Sequence, residues 1–194
     1  LCEAGPQLGG QALLAQLLPG RAEFGGIVTN LSHELERAGV TVRLNTRVDR
    51  ALVESEAPDA VVIATGAVPS EPEIEGAGEG HVVNAWQVLR GEANVGQSVV
   101  VADFRCDWIG VGLAEKLALD GCRVQLAFNG SQLAENLMQY LRDHAAARMF
   151  DLGVELHSYA RLYGVDSDTV YLEHAMARKP IVCEGVDTLV TALG

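Results

Sequence analysis

Residues 59–67, reading Asp-Ala-Val-Val-Ile-Ala-Thr-Gly-Ala, decide the fold class of this chain. Ala60 to Ile63 form a continuous rather than alternating apolar run, which predicts a parallel strand covered on both faces. Gly66 follows directly, and its missing Cβ lets the main chain approach a neighbouring backbone or ligand that any side chain would obstruct. A buried strand running into a small-residue turn is the layout of an α/β sheet with a site at its carboxyl edge.

Working outward, apolar residues at Phe24, Ile27, Val28, Leu31 and Leu35 predict one helical face over 24–38, with Gly39 as its stop. His33 falls off that stripe and reads as a surface residue. Val40 to Val48 alternates as a strand would. Pro69, Pro72, Gly76, Gly78 and Gly80 then punctuate an acidic loop, followed by a short helix near Asn84 to Arg90 and a linker over 91–96. A second unit starts afresh: strand Ser98 to Ala102, helix Trp108 to Asp120, a turn at Gly121 and strand Arg123 to Phe128. Ser131 is expected to cap a helix running to Phe150, and short strands near 154–157, 169–172 and 181–183 suggest a meander before a last strand over 186–193. The expected architecture is α/β, with two Rossmann-like units, 1–91 and 92–194, each with a parallel sheet. The first reads as incomplete at its N-terminus, because no strand, glycine-rich turn and helix precede Glu3, so the chain reads as a fragment.

The composition suits this picture. In 194 residues, 48% are hydrophobic and 21 are glycine, enough for one or two cores and many turns. A net charge of −12 with scattered basic residues argues against a nucleic-acid surface or a polybasic membrane anchor. No stretch approaches the roughly 20 continuous apolar residues of a membrane span, and the start lacks the order of a secretory signal, so the default compartment is cytoplasmic. Cys2, Cys106, Cys122 and Cys183 form no CxxC pair, which supports neither a zinc site nor an iron–sulfur cluster within the chain.

LCEAGPQLGGQ at 1–11, PGR at 19–21, VRLNTRV at 42–48 and the DAVVIATGA run, in that order, resemble the disulfide-reductase-like module of the trimethylamine dehydrogenase, 2,4-dienoyl-CoA reductase and NADH:flavin oxidoreductase family. The resemblance covers nearly the whole chain and is looser in its second half. It implies an FAD- or ADP-binding first unit, with Glu3 on the adenosine ribose, the turn Gly9, Gly10 and Gln11 against the cofactor, and Thr65 and Gly66 beside the pyrophosphate. Val48 and Ala64 complete the implied set. Because the glycine-rich turn of this unit is missing from the sequence, the fragment by itself is expected to bind FAD or ADP poorly or not at all. The resemblance further implies an N-terminal barrel domain with FMN and a 4Fe-4S cluster in a parent protein, where substrate chemistry takes place.

The second unit departs from the family pattern. WIGVGLAEKLALDGCRV at 108–124 makes Gly110 the third glycine of a G-x-G-x-x-G count, which puts Arg105 and Asp107 where the first two glycines belong. Asp103 adds another carboxylate to the loop, and the residues after the next strand, Ala127 to Gly130, offer neither an acid for NAD nor a base for NADP. These residues speak against ordinary NAD(P)H binding, although Asp103, Arg105 and Asp107 pairing among themselves would leave backbone donors free. No nucleophile or acid/base constellation emerges: His81, His144, His157 and His174 lie in separate segments, and Trp86 and Trp108 read as packing groups. The expected role is that of a catalytically silent module that holds FAD or ADP and relays electrons in an amine dehydrogenase or N-demethylase, with an electron-transfer protein as external acceptor. Two alternatives stand beside it: an NAD(P)H-dependent 2,4-dienoyl-CoA reductase or ene-reductase, and a structural or interaction module without cofactor.

Overall fold

Val99, Val100, Val101 and Ala102 have no exposed surface, and the larger sheet of the molecule is built around them. The computed structural model describes residues 1–71 and 73–194, which divide into two units, Leu1–Ala67 and Val68–Gly194. Only the second is assembled as an α/β unit; the first, expected to carry a parallel sheet, has helices and one isolated bridge among its described residues.

The first unit contains α1 (Gln11–Ala15), α2 (Phe24–Arg37) and α3 (Arg50–Glu56). α2 forms where the apolar spacing predicts it, and Gly39 at φ 67° turns the chain out of it. None of its residues is buried, however, so the stripe exists without full cover in this unit. α3 carries a signal the periodicity reading passed over: Asp49 is its cap, with Oδ1 accepting from Leu52 N at 2.8 Å. The expected strand over 40–48 is reduced to a short parallel pairing with the first residues, in which Arg43 N donates to Leu1 O and Glu3 N to Arg43 O, both at 2.9 Å.

The run 59–67 departs from expectation. It makes no strand, and Val62 and Ile63 are 88% and 81% exposed. A strand apolar on both faces is stable only with ladder partners at its edges and layers above and below, and among the described residues of this unit none pairs with it.

In the second unit, β1 (Val82–Asn84), α4 (Ala85–Leu89), β2 (Ser98–Asp103), α5 (Trp108–Leu119), β3 (Arg123–Phe128), α6 (Gln139–Asp151) and β4 (Glu155–His157) are followed by β5 (Ala160–Val165), β6 (Thr169–His174), β7 (Lys179–Glu184) and β8 (Thr188–Ala192). The sheet is parallel with order β1-β8-β2-β3-β4, and β5-β6-β7 is an antiparallel meander. β2 lies centrally and all six of its residues are buried, as a continuous apolar run requires. Val100, Ala102, Ala127 and Leu189 from the sheet and Ala160, Val170, Leu172 and Cys183 from the meander share one core cluster.

Two boundaries differ from the sequence reading. β1 pairs with β8, so residues 68–91, expected with the first unit, pack with the second. The helix expected from Ser131 begins only at Gln139. Ala134 sits in the left-handed region at φ 51°, which no continuing helix allows, and Ser131 donates to Glu135 Oε2 through N (2.7 Å) and Oγ (3.2 Å) instead of accepting from a helical N–H. Of the proline exit from the first unit, Pro72 lies outside the described residues.

Candidate functional site

The glycine turn of the first unit has two kinds of glycine. Gly9, at φ 120°, is wedged between helices: a methyl group there would lie 2.8 Å from Leu13 Cγ and 2.9 Å from both Val28 methyls. Gly10, at φ 48°, faces open space with nothing within 4 Å. Gly9 therefore closes the α1–α2 packing, and Gly10 leaves backbone accessible. Gly66, at φ 72°, is brought to the same place, since a methyl group on it would sit 3.6 Å from Gln11 Nε2. Glu3 is half-buried and its Oε1 accepts from Gly5 N at 2.7 Å, which holds the carboxylate beside its own loop. Val48, Ala64 and Thr65 are exposed, and among the described residues no side-chain hydrogen bond ties them to the turn. The tertiary structure thus unites Gly9, Gly10, Gln11 and Gly66, while Val48, Ala64 and Thr65 stay on the surface.

The turn between β2 and α5 in the second unit is filled by its own side chains. Asp107 caps α5, with Oδ1 accepting from Ile109 N at 2.9 Å, and its Oδ2 pairs with Arg105 Nε at 2.8 Å. Asp103 is fully buried, and its Oδ1 accepts from Cys106 N at 2.9 Å. Of the three-way pairing considered from the sequence, only the Arg105–Asp107 half forms. Gly110 acts as a packing glycine, because a methyl group there would collide with the Cβ, Cγ and Oδ2 of Asp103. Asp103 Oδ2 is a buried oxygen without a hydrogen-bond partner. Burial, helped by the nearby Asp107 charge, pushes the Asp103 carboxyl up to about 7. A neutral acid in this seam avoids the cost of an unpaired buried charge.

Beyond this loop, at the carboxyl ends of β2 and β3, lies a cleft of about 520 Å³ lined by Phe104, Asn129, Arg161, Tyr163, Glu173 and Arg178. Arg161 stands opposite Glu173 in the β5–β6 register, and Arg178 in the following turn pairs with Glu173 at 3.0 Å. These arginines come from the meander, more than 30 residues after Asn129. The residues directly after β3 carry no sign of them, because the arginines reach the cleft through the meander.

Three of the four thiols are held unreactive by environment: burial raises Cys106, Cys122 and Cys183, the last to about 11. Among the described residues no three His, Cys, Asp or Glu side chains are grouped to hold a metal ion, and no helix is long and apolar enough to cross a membrane. His33 is exposed beside Glu36 at 3.4 Å. Trp86 packs under the Arg90 guanidinium at 5.1 Å.

No family model matches the chain. Curated relatives do match it, two of them as follows. A probable N-methylproline demethylase of Rhizobium meliloti (strain 1021) is 34% identical over 145 residues, 72% of this chain and 21% of the relative. An N,N-dimethylglycine/sarcosine dehydrogenase of Chromohalobacter salexigens is 36% identical over 132 residues, 65% of this chain and 19% of the relative. The chain therefore spans about a fifth of the length of these relatives. Among solved structures, histamine dehydrogenase from Rhizobium sp. 4-9 superposes over the whole chain and 30% of its own, with TM-score 0.92 at 21% identity, a likeness of fold. The chain is a disulfide-reductase-like module of the trimethylamine dehydrogenase and NADH:flavin oxidoreductase family, a family of flavin-dependent oxidoreductases.

Proposed function

We propose that this module holds FAD or ADP through its first unit and takes part in electron relay within a larger oxidoreductase of the amine dehydrogenase or N-demethylase kind. One observation carries the reading against nicotinamide-driven reduction: the β2–α5 loop is occupied by Asp103, Arg105 and Asp107. An anionic diphosphate brought there would meet the Asp107 carboxylate and have to displace the cap that α5 already has, with the buried Asp103 side chain filling the seam behind it. The first turn fits a nucleotide better. Gly10 opens onto free space, and the gap between Gly66 and Gln11 is one that a side chain on Gly66 would fill. Glu3 would hold the ribose, the backbone of Gly9, Gly10 and Gln11 would face the adenosine diphosphate, and the segment Ala64, Thr65 and Gly66, with Val48, would complete the wall. The cofactor would supply the redox chemistry, or, as ADP, a structural anchor.

In this reading the parent protein carries FMN and a 4Fe-4S cluster on other domains, including a barrel, passes electrons to a separate acceptor protein, and resides in the cytoplasm. The two curated relatives act on N-methylated amines by name, which supports substrates of that class. The test is anaerobic stopped-flow of the full-length parent. Flavin bleaching by a secondary or tertiary N-methyl amine, with NADPH inert, is the expected outcome. Rapid bleaching by NADPH would overturn it in favour of an NAD(P)H-dependent reductase.

A further inference from the structure

The cleft at the carboxyl ends of β2 and β3 has a consistent chemistry. Asn129 Oδ1 accepts from the Cys106 thiol at 3.1 Å, so the amide group Nδ2 is turned away as a donor. Arg161 and the Tyr163 hydroxyl have no hydrogen-bond or ion-pair partner among the described residues. Arg178 shares Glu173. Three unpartnered donor groups and a fourth held by a single carboxylate therefore face one cavity. Glu173 is the one carboxylate lining the cleft and is taken up by Arg178, so in a protein of net charge −12 the Arg161 guanidinium still favours an added anion.

The shape narrows the anion. About 520 Å³ lies within the roughly 300–1,000 Å³ of small-molecule sites, far more than an inorganic ion needs. Phe104 and Tyr163 supply aromatic wall, and a guanidinium fork matches phosphate oxygens two at a time. The adjoining β2–α5 loop, where Asp107 caps α5 and pairs with Arg105, bars a ligand that would run a diphosphate across it. We infer that this cleft is a binding site for a phosphate monoester carried on an aromatic base, a nucleoside monophosphate rather than a dinucleotide, with Arg161 as the principal phosphate ligand, Asn129 and Tyr163 as further donors, and Glu173 as the group that positions Arg178. The inference stands on the second unit alone and does not depend on the substrate proposed for the parent.

Calorimetric titration of the 194-residue chain at low salt tests it, with 5′-AMP, adenosine, inorganic phosphate and NADPH as probes. The expected result is that 5′-AMP binds about tenfold or more tightly than adenosine or phosphate. Arg161→Ala should remove that advantage while leaving the circular dichroism unchanged, since Arg161 is exposed, and Arg161→Lys should restore it in part. Glu173→Gln, which keeps a hydrogen-bonding oxygen beside Arg178 to position it and removes only the opposing negative charge, should tighten 5′-AMP binding several-fold, a gain that a merely structural role would not produce. Equal affinity for 5′-AMP and adenosine, or an Arg161→Ala variant that binds 5′-AMP normally, would overturn the site. NADPH binding more tightly than 5′-AMP would overturn the mononucleotide assignment, because it would show that a diphosphate passes the loop.

Discussion

Two glycine-containing turns of this molecule, one in each unit, are filled in opposite ways. At Gly10 and Gly66 the first unit leaves backbone uncovered next to space, whereas from Asp103 to Gly110 the second unit fills its turn with its own acidic side chains and caps its own helix. A helix N-terminus presents donors that some oxygen must satisfy. In the second unit the Asp107 side chain provides that oxygen, and this is the observation on which the proposed loss of phosphate binding at the turn rests.

The strongest way to probe the comparison is through pH. The Asp103 carboxyl is raised to about 7 in the folded protein, against an ordinary value of 3.8. Between those values the folded state binds a proton that the unfolded state has released, so stability is highest at low pH and falls as pH rises to about 7. The loss attributable to this group is about 4 kcal/mol. Urea unfolding across pH 4.5 to 8 should show that slope, and Asp103→Asn should flatten it. Its Nδ2 needs an acceptor in turn, so the gain at pH 8 is expected to be smaller, about 2 kcal/mol. A wild-type slope that survives in the variant would detach the pH dependence from this seam.

A second probe is steric. Gly110→Ala should cost about 3 kcal/mol, because the added methyl group meets the Asp103 side chain in a strand–helix junction that cannot open. Asp103→Gly in the same chain should recover much of that loss in a double-mutant cycle, and additive losses would show that the two residues are not coupled.

The first turn should respond differently at its two glycines. Gly9→Ala is expected to destabilise by about 2 kcal/mol through collision with Leu13 and Val28, while Gly10→Ala, with free space around it, should cost only the left-handed backbone, about 1 kcal/mol. If both cost the same, the division between a packing glycine and an open one is wrong. The smallest effect belongs to the apolar run. Val62→Lys, at a residue 88% exposed in this unit, should shift stability by less than about 0.5 kcal/mol.

Much of the fold was legible from local pattern. β2, α5 and β3 stand within a residue of their expected bounds, since a central strand and its crossover helix are coded by continuous apolar runs and a glycine stop. α6 was read too long because one left-handed residue, Ala134, interrupts a pattern whose apolar spacing continues across it. β5 was missed because its burial is irregular around Gly164, where a β-bulge breaks the alternation. The loop Asp103, Arg105 and Asp107 was legible as an obstacle, but the roles within it were not. Asp103 is an orphaned buried acid and Asp107 a cap, a distinction of a few ångströms that residue order does not encode.

Sequence alone determined the α/β class, the family likeness and the positions of the two turns, because these rest on hydrophobic period, glycine placement and charge, all properties of neighbouring residues. Only the tertiary structure decided that Val62 and Ile63 are left without strand partners in this unit, that Asp103 is driven toward neutrality, and that Arg161 and Arg178 face Asn129 across one cleft. Burial, electrostatic environment and convergence of donors depend on segments distant in the chain, and those distances are set by packing.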